Sequence, residues 1–191
     1  MNKPFVADLT FKGLDFRKKP LQKAEYENCI FDGCDFSDGY LDNQNFMECE
    51  FLDCNLSNTK ITQTIFNDVS FSHCKMIGLK FEGCNDFLMS FSFGNCNLNF
   101  SSFYRMKLKG FQFIACKLKE ADFTEADLTE AAFDACELEK AVFYDTILVK
   151  TDFSTASHFN IDPERNRLKK TKFSKENIFG LLTKHDIVIA D

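Results

Sequence analysis

The chain has no tryptophan, only three prolines and three histidines, and eight glycines among 191 residues. The histidines, His73, His158 and His185, lie far apart, and no Gly-rich phosphate loop, serine nucleophile elbow or metal-binding helix motif accompanies them. An enzyme is therefore not expected, nor a cofactor or metal. No apolar run approaches the roughly eighteen residues of a membrane-spanning helix. The opening stretch "MNKPFVADLTF" lacks the apolar core of a secretory signal, so the expected compartment is the cytoplasm.

What is abundant is phenylalanine, with 24 residues. In "ADFTEADLTEAAFDACELEKAVF", residues 121–143, the apolar residues Phe123, Leu128, Phe133, Leu138 and Phe143 advance by five. At about 100° per residue a helix would scatter them around its whole circumference. A flat strand alternates its side chains, so an odd step throws successive members onto opposite faces. The chain must therefore turn between members. Four quarter turns close a square coil of about twenty residues in which every fifth side chain points to the axis.

One phase of this spacing includes Phe31, Phe51, Phe71 and Phe81, and a second includes Phe93, Phe113, Phe133 and Phe153. From Phe81 to Leu98 the chain advances by three units plus two extra residues, which predicts a bulge or kink within residues 83–94. Residues one coil apart should stack at about 4.8 Å. Phe31, Phe51, Phe71 and Phe91 are expected in one ladder, and Phe93, Phe113, Phe133 and Phe153 in another. Two residues before each central position the chain is usually small, as at Cys34, Cys54, Ala121 and Ala126, so that site should also face inward.

Units such as "CDFSD", "CEFLD", "CNLSN", "ADFTE" and "ADLTE" resemble those of pentapeptide repeat proteins, in which a small residue, Asp or Asn, Leu or Phe, and two polar residues recur. The resemblance covers roughly residues 9–158. It implies an all-β fold, a right-handed quadrilateral parallel β-helix of about seven coils over residues 1–158, followed by a C-terminal cap over residues 159–191.

The nine cysteines do not point to a metal or redox site. Cys29 and Cys34, and likewise Cys49 and Cys54, are five apart, which is neither a zinc-knuckle nor a Cys-x-x-Cys spacing. Parallel side chains on adjacent coils suit a disulfide's dihedral poorly, so reduced packing residues are expected. His158 falls on the last inward position of the five-residue register and reads as a cap or rim residue.

Charge is unevenly distributed. Residues 24–157 hold 22 acidic and 10 basic side chains, whereas both ends are net basic. In the second stack, the twenty-residue register pairs Arg105 with Glu125, Lys107 with Asp127, Lys117 with Glu137, Lys119 with Glu139, Glu120 with Lys140 and Glu130 with Lys150. Residues 24–59 carry nine acids and no Lys or Arg. There, only Asp32 and Asp38 meet cations one coil away, Lys12 and Lys18. Glu25, Glu27, Asp42, Glu48, Glu50 and Asp53 meet none, and Glu48 stacks on Asp68, a like-charge contact. This set is the expected partner-binding surface, suited to a basic protein and repelled by nucleic acid and bilayers.

The chain also resembles the Qnr and Mfp-like branch of the family, which implies an acidic dimer that mimics duplex DNA on DNA gyrase or topoisomerase IV and modulates quinolone susceptibility. The alternative is a generic pentapeptide-repeat scaffold with another partner. The ending "KFSKENIFGLLTKHDIVIA" predicts a helix capped by Ser174 and running to about Lys184, then a short strand. By the same resemblance this helix, with Phe173, Ile178, Phe179, Leu181 and Leu182, is expected to lid the last coil and join two protomers.

Overall fold

A computed structural model describes residues 3–185 and 187–188. The quarter turn required by the five-residue spacing has a single backbone cause. The residue two after most central apolar positions is left-handed, as at Asn28 (φ 49°), Asp38 (φ 54°), Glu48 (φ 50°), Asp53 (φ 51°) and Asn58 (φ 55°), and again from Arg105 to Lys150. Asn, Asp and Gly tolerate this region with little penalty. Glu48 and Arg105 adopt it because coils above and below fix the corner.

The strands are β1 (Phe5–Ala7), β2 (Thr10–Lys12), β3 (Glu25–Glu27), β4 (Ile30–Asp32), β5 (Asn45–Met47), β6 (Glu50–Leu52), β7 (Ile65–Asn67), β8 (Val69–Ser72), β9 (Phe91–Gly94), β10 (Gln112–Ile114) and β11 (Ala132–Asp134). One face is the parallel sheet β1-β3-β5-β7, and the next is the seven-stranded parallel sheet β11-β10-β9-β8-β6-β4-β2. The register is twenty residues, as in Phe31↔Phe51 and Phe113↔Phe133. The other two faces are joined by isolated parallel bridges, such as Asp35↔Asn55 on one and Tyr40↔Lys60 on the other. Their corners are tight turns, with Gly39 N–H donating to Phe36 O at 3.0 Å and Gln44 N–H to Leu41 O at 3.1 Å, the type II pattern that a left-handed third residue produces.

Inside, Phe11, Phe31, Phe51, Phe71, Phe93, Phe113, Phe133, Phe153 and Phe173 form one ladder, with centroids 4.7–5.6 Å apart at every step. The two ladders expected from the sequence are thus continuous, because Phe71 pairs with Phe93 in the β8–β9 register across the insertion. Phe91 does not join them. It stacks on Phe81 at 5.5 Å and meets Phe71 edge-on at 6.5 Å. The insertion falls where expected: residues 84–90 replace the next strand of the first sheet, Ser90 N–H bonds Phe66 O at 2.9 Å, and Phe87 and Leu88 project into solvent.

The small inward site does more than save space. Its Cys, Ser or Thr donates to a carbonyl of the preceding coil: Cys54 Sγ to Phe31 O at 3.1 Å, Thr59 Oγ1 to Phe36 O at 2.8 Å, Ser101 Oγ to Met76 O at 2.9 Å and Thr151 Oγ1 to Leu128 O at 2.8 Å. All nine cysteines are free thiols, eight of them buried. Desolvation raises the Cys49 thiol to about 11.

The C-terminal helix expected from the sequence is not formed. Short 3-10 turns, Ile178–Leu181 and Thr183–His185, take its place. The cap expected at Ser174 does form, but the side chain that completes it is held by the last coil rather than by a helix. Ser174 and Asn177 cap each other, Ser174 N–H to Asn177 Oδ1 at 2.9 Å and Asn177 N–H to Ser174 Oγ at 3.2 Å. The Asn177 amide is then drawn onto the last coil, donating to Phe153 O at 2.7 Å and Ala156 O at 2.9 Å. Gly180 completes the lid: Ile161 N–H bonds its carbonyl at 2.9 Å, and a Cβ there would lie 2.5 Å from Phe159. Ile187 and Val188 are outside any strand, and the rest of the expected strand lies outside the described residues. His158 is exposed with φ 59°, because Phe159 takes the inward place instead.

Candidate acidic interface

The acidic surface is built on one corner of the coil. Asp8, Asn28, Glu48 and Asp68 occupy it in successive coils, all left-handed. Asn28 Nδ2 donates to Asp8 Oδ1 at 2.6 Å, so that pair is satisfied, whereas Glu48 and Asp68 hold the same corner position one coil apart and neither has a cation partner among the described residues. Glu27, on β3, precedes this corner and Glu50, on β6, follows it. Their neighbours along the register explain why both are unpaired. Glu27 lies between Ala7 and Met47, and Glu50 between Ile30 and Ser70, none of which carries charge.

Glu27, Glu48, Glu50 and Asp68 therefore occupy or flank one corner on successive coils. The other expected residues are not part of that set. Glu25, between Phe5 and Asn45, and Asp42, whose Oδ1 accepts the Thr62 N–H at 2.9 Å, lie toward the preceding corner. Asp53 stands at the following corner. Among the described residues none of the seven has a cation within 4.0 Å.

Elsewhere the register does neutralise charge, though less completely than the twenty-residue rule predicts. Arg105–Glu125 (2.7 Å), Lys119–Glu139 (3.1 Å) and Lys150–Glu130 (2.6 Å) close as ion pairs, as does Lys12–Asp32 (2.8 Å). Hydrogen bonds from these partners hold Glu125, Glu130 and Glu139 below the ordinary glutamate value. Lys107 with Asp127 and Lys117 with Glu137 are aligned through their backbones but form no ion pair, and neither do Glu120 and Lys140. Lys18 turns to Asp15 at 3.4 Å rather than to Asp38, which accepts Asn58 Nδ2 at 3.1 Å. Long flexible side chains choose among several corner partners, so backbone register alone does not fix them. Lys172–Asp152, at 3.1 Å, obeys the same rule beyond the range read from the sequence.

The expected cap residues separate. Phe173 is the last rung of the ring ladder, 5.6 Å from Phe153, and Leu181 packs partly on the core. Leu182 is half-buried, and Ile178 and Phe179 are about half exposed. The helix that would have presented them together to a second protomer is absent. Serine and histidine approach each other at Ser72–His73 (2.9 Å) and Ser157–His158 (3.1 Å), but both contacts join sequence neighbours at exposed corners. The acidic corner offers fixed negative charge on a regular rod.

Comparison with known proteins bears on what such a rod is. The profile described as pentapeptide repeat region matches residues 86–178, and that of pentapeptide repeats matches residues 29–68 and 49–85. A trypsin-treated variant of QnrB1, a plasmid-mediated fluoroquinolone resistance protein, superposes with a TM-score of 0.77 at 17% identity, covering 100% of this chain and 93% of that one. Full-length QnrB1 gives 0.54 at 18% identity, covering 96% and 100%. HetL, a pentapeptide repeat protein involved in heterocyst differentiation regulation in the cyanobacterium Nostoc, gives 0.55 at 13% identity, covering 91% and 86%. No curated protein matches the sequence. At these identities the structural likenesses speak for the fold alone.

Proposed function

Because the chain belongs to the pentapeptide repeat family, its repeats being matched across residues 29–178, we propose that it is a non-enzymatic binding rod that uses its uncompensated acidic corner to imitate the phosphate backbone of DNA. The partner is a basic, DNA-binding protein surface, that of DNA gyrase or topoisomerase IV, and the consequence is a change in quinolone susceptibility. The fluoroquinolone resistance named for QnrB1, whose fold this chain shares, favours that partner over others.

The observation that carries this reading is the contrast in charge pairing along the rod. Glu125, Glu130 and Glu139 are neutralised by cations one coil away, whereas Glu27, Glu48, Glu50 and Asp68 are left free at one corner. Glu48 beside Asp68 repels rather than stabilises, so folding alone gives no reason for it. Coils spaced at about 4.8 Å place the Glu48 and Asp68 carboxylates on successive rungs, and the attraction of such charges for a basic surface weakens as salt is added.

The test is a DNA supercoiling assay with gyrase at micromolar protein, with and without a fluoroquinolone. Slowed supercoiling, or rescue from the drug, that fades as salt is raised is the expected result. Indifference of gyrase under all these conditions would overturn the proposal and leave a scaffold for some other basic partner.

A further inference from the structure

The two ends of the rod differ. Phe173 and the Gly180 turn close the C-terminal end. At the N-terminal end, β1 and β2 are, among the described residues, the outermost strands of their sheets, paired on one side only with β3 and β4. Phe11 and Phe16 are only partly buried there, and Phe5, Leu9 and Leu14 are exposed at 61%, 49% and 43%. A groove of about 450 Å³ runs across this end, walled by Leu9, Phe11, Leu14, Phe16, Leu21 and Tyr26.

Charge selects the occupant. Asp15 at the rim is taken by Arg17 at 2.9 Å and Lys18 at 3.4 Å, which leaves Lys19 as a groove-lining cation without an acid partner among the described residues. Residues 1–23 hold six basic and two acidic side chains. A second copy meeting this end head-on would set one basic rim against another, which disfavours it. Two open strand edges call for an extended backbone, the groove for large apolar side chains, and Lys19 for a carboxylate.

We propose that the N-terminal end binds an extended segment of another protein, acidic and punctuated by large apolar residues, and takes it up as one more rung of the coil. This surface is separate from the acidic corner, and the proposal stands or falls independently of the function given above.

A fluorescein-labelled peptide with the sequence of residues 45–58, its two cysteines replaced by serine, is a suitable probe. It carries Glu48, Glu50 and Asp53, with Phe46, Phe51 and Leu56 at the five-residue spacing of a rung. Fluorescence anisotropy with the full chain should show saturable binding, weakened about tenfold or more by Leu14→Asp and by Lys19→Glu, and unchanged by Phe87→Ser in the insertion. A peptide with its acids changed to lysine should bind about tenfold more weakly. Leu14 and Lys19 are both exposed, and circular dichroism verifies that the variants fold. No binding at about 1 mM chain, or equal binding by Leu14→Asp, would overturn the proposal. So would sedimentation velocity showing that the wild-type chain self-associates and that Leu14→Asp abolishes the association, since the occupant would then be a second copy.

Discussion

Replacing Phe113 by alanine removes one rung from the middle of the ring ladder. The side chain is completely buried, stacked between Phe93 at 5.6 Å and Phe133 at 4.9 Å, with Phe103 and Phe123 edge-on at 5.7 and 6.0 Å. Losing the transfer of a ring from water costs about 2 kcal/mol. The hydrogen-bonded coils on either side cannot close the gap, so a cavity of roughly 80 Å³ at about 24 cal/mol per Å³ adds about 2 kcal/mol more. The expected destabilisation is therefore about 4 kcal/mol, within the range of roughly 3–5 kcal/mol typical of buried Phe→Ala changes. Equilibrium unfolding in guanidinium chloride, followed by circular dichroism, measures it. Phe87→Ala, at an exposed ring on the insertion, serves as control and should change stability by less than about 0.5 kcal/mol. A cost below about 1.5 kcal/mol for Phe113→Ala would mean that the core is not rigidly stacked, and would refute the reasoning.

Other outcomes follow from the same geometry. Cys54→Ser should stay within about 1 kcal/mol of wild type, because a hydroxyl can donate to Phe31 O as Thr59 does to Phe36 O; Cys54→Val, which deletes the donor, should cost more in the same unfolding assay. Gly78→Ala should destabilise by about 1–2 kcal/mol, since φ is +72° and the added Cβ would sit 2.6 Å from Asn58 Oδ1. Asn177→Ala leaves the Phe153 and Ala156 carbonyls without their amide donor, and hydrogen exchange should quicken at the last coil while residues 31–71 keep their protection. Glu130, held below its ordinary value by Lys150, stabilises the fold above the unfolded glutamate range near 4.5, and that contribution is lost as pH falls through the depressed folded value. The denaturant midpoint should accordingly drop less between pH 7 and pH 3.5 in Glu130→Gln than in wild type.

Much of the fold was legible because a solenoid converts sequence spacing directly into contact. Phe113 over Phe133, Lys119 beside Glu139 and the insertion between Phe81 and Phe93 all follow from counting by five and by twenty. The hydrogen-bonding duty of the small inward residue was less visible, although the substitution of Cys, Ser and Thr for one another at that site, as at Cys54, Thr59, Thr64 and Ser101, is a signal for a shared donor. The C-terminal segment misled because the helix signature around Ser174 is local, whereas Asn177 is committed to carbonyls more than twenty residues away. The acidic surface was half legible. Counting showed which acids lack a cation one coil away, but not that Glu27, Glu48, Glu50 and Asp68 occupy or flank one corner while Glu25, Asp42 and Asp53 lie beyond it.

The central claim is that free acids bind and paired acids merely fold, and binding to gyrase separates the two most directly. Glu48→Lys with Glu50→Lys is to be compared with Glu130→Lys with Glu139→Lys, by biosensor titration at low and physiological salt. The first pair relieves the Glu48–Asp68 repulsion, so it should leave stability unharmed while weakening binding about tenfold or more and flattening its salt dependence. The second pair breaks two ion pairs, so it should lower stability and bind as wild type does. Equal loss of binding by both pairs, or by neither, would contradict the account.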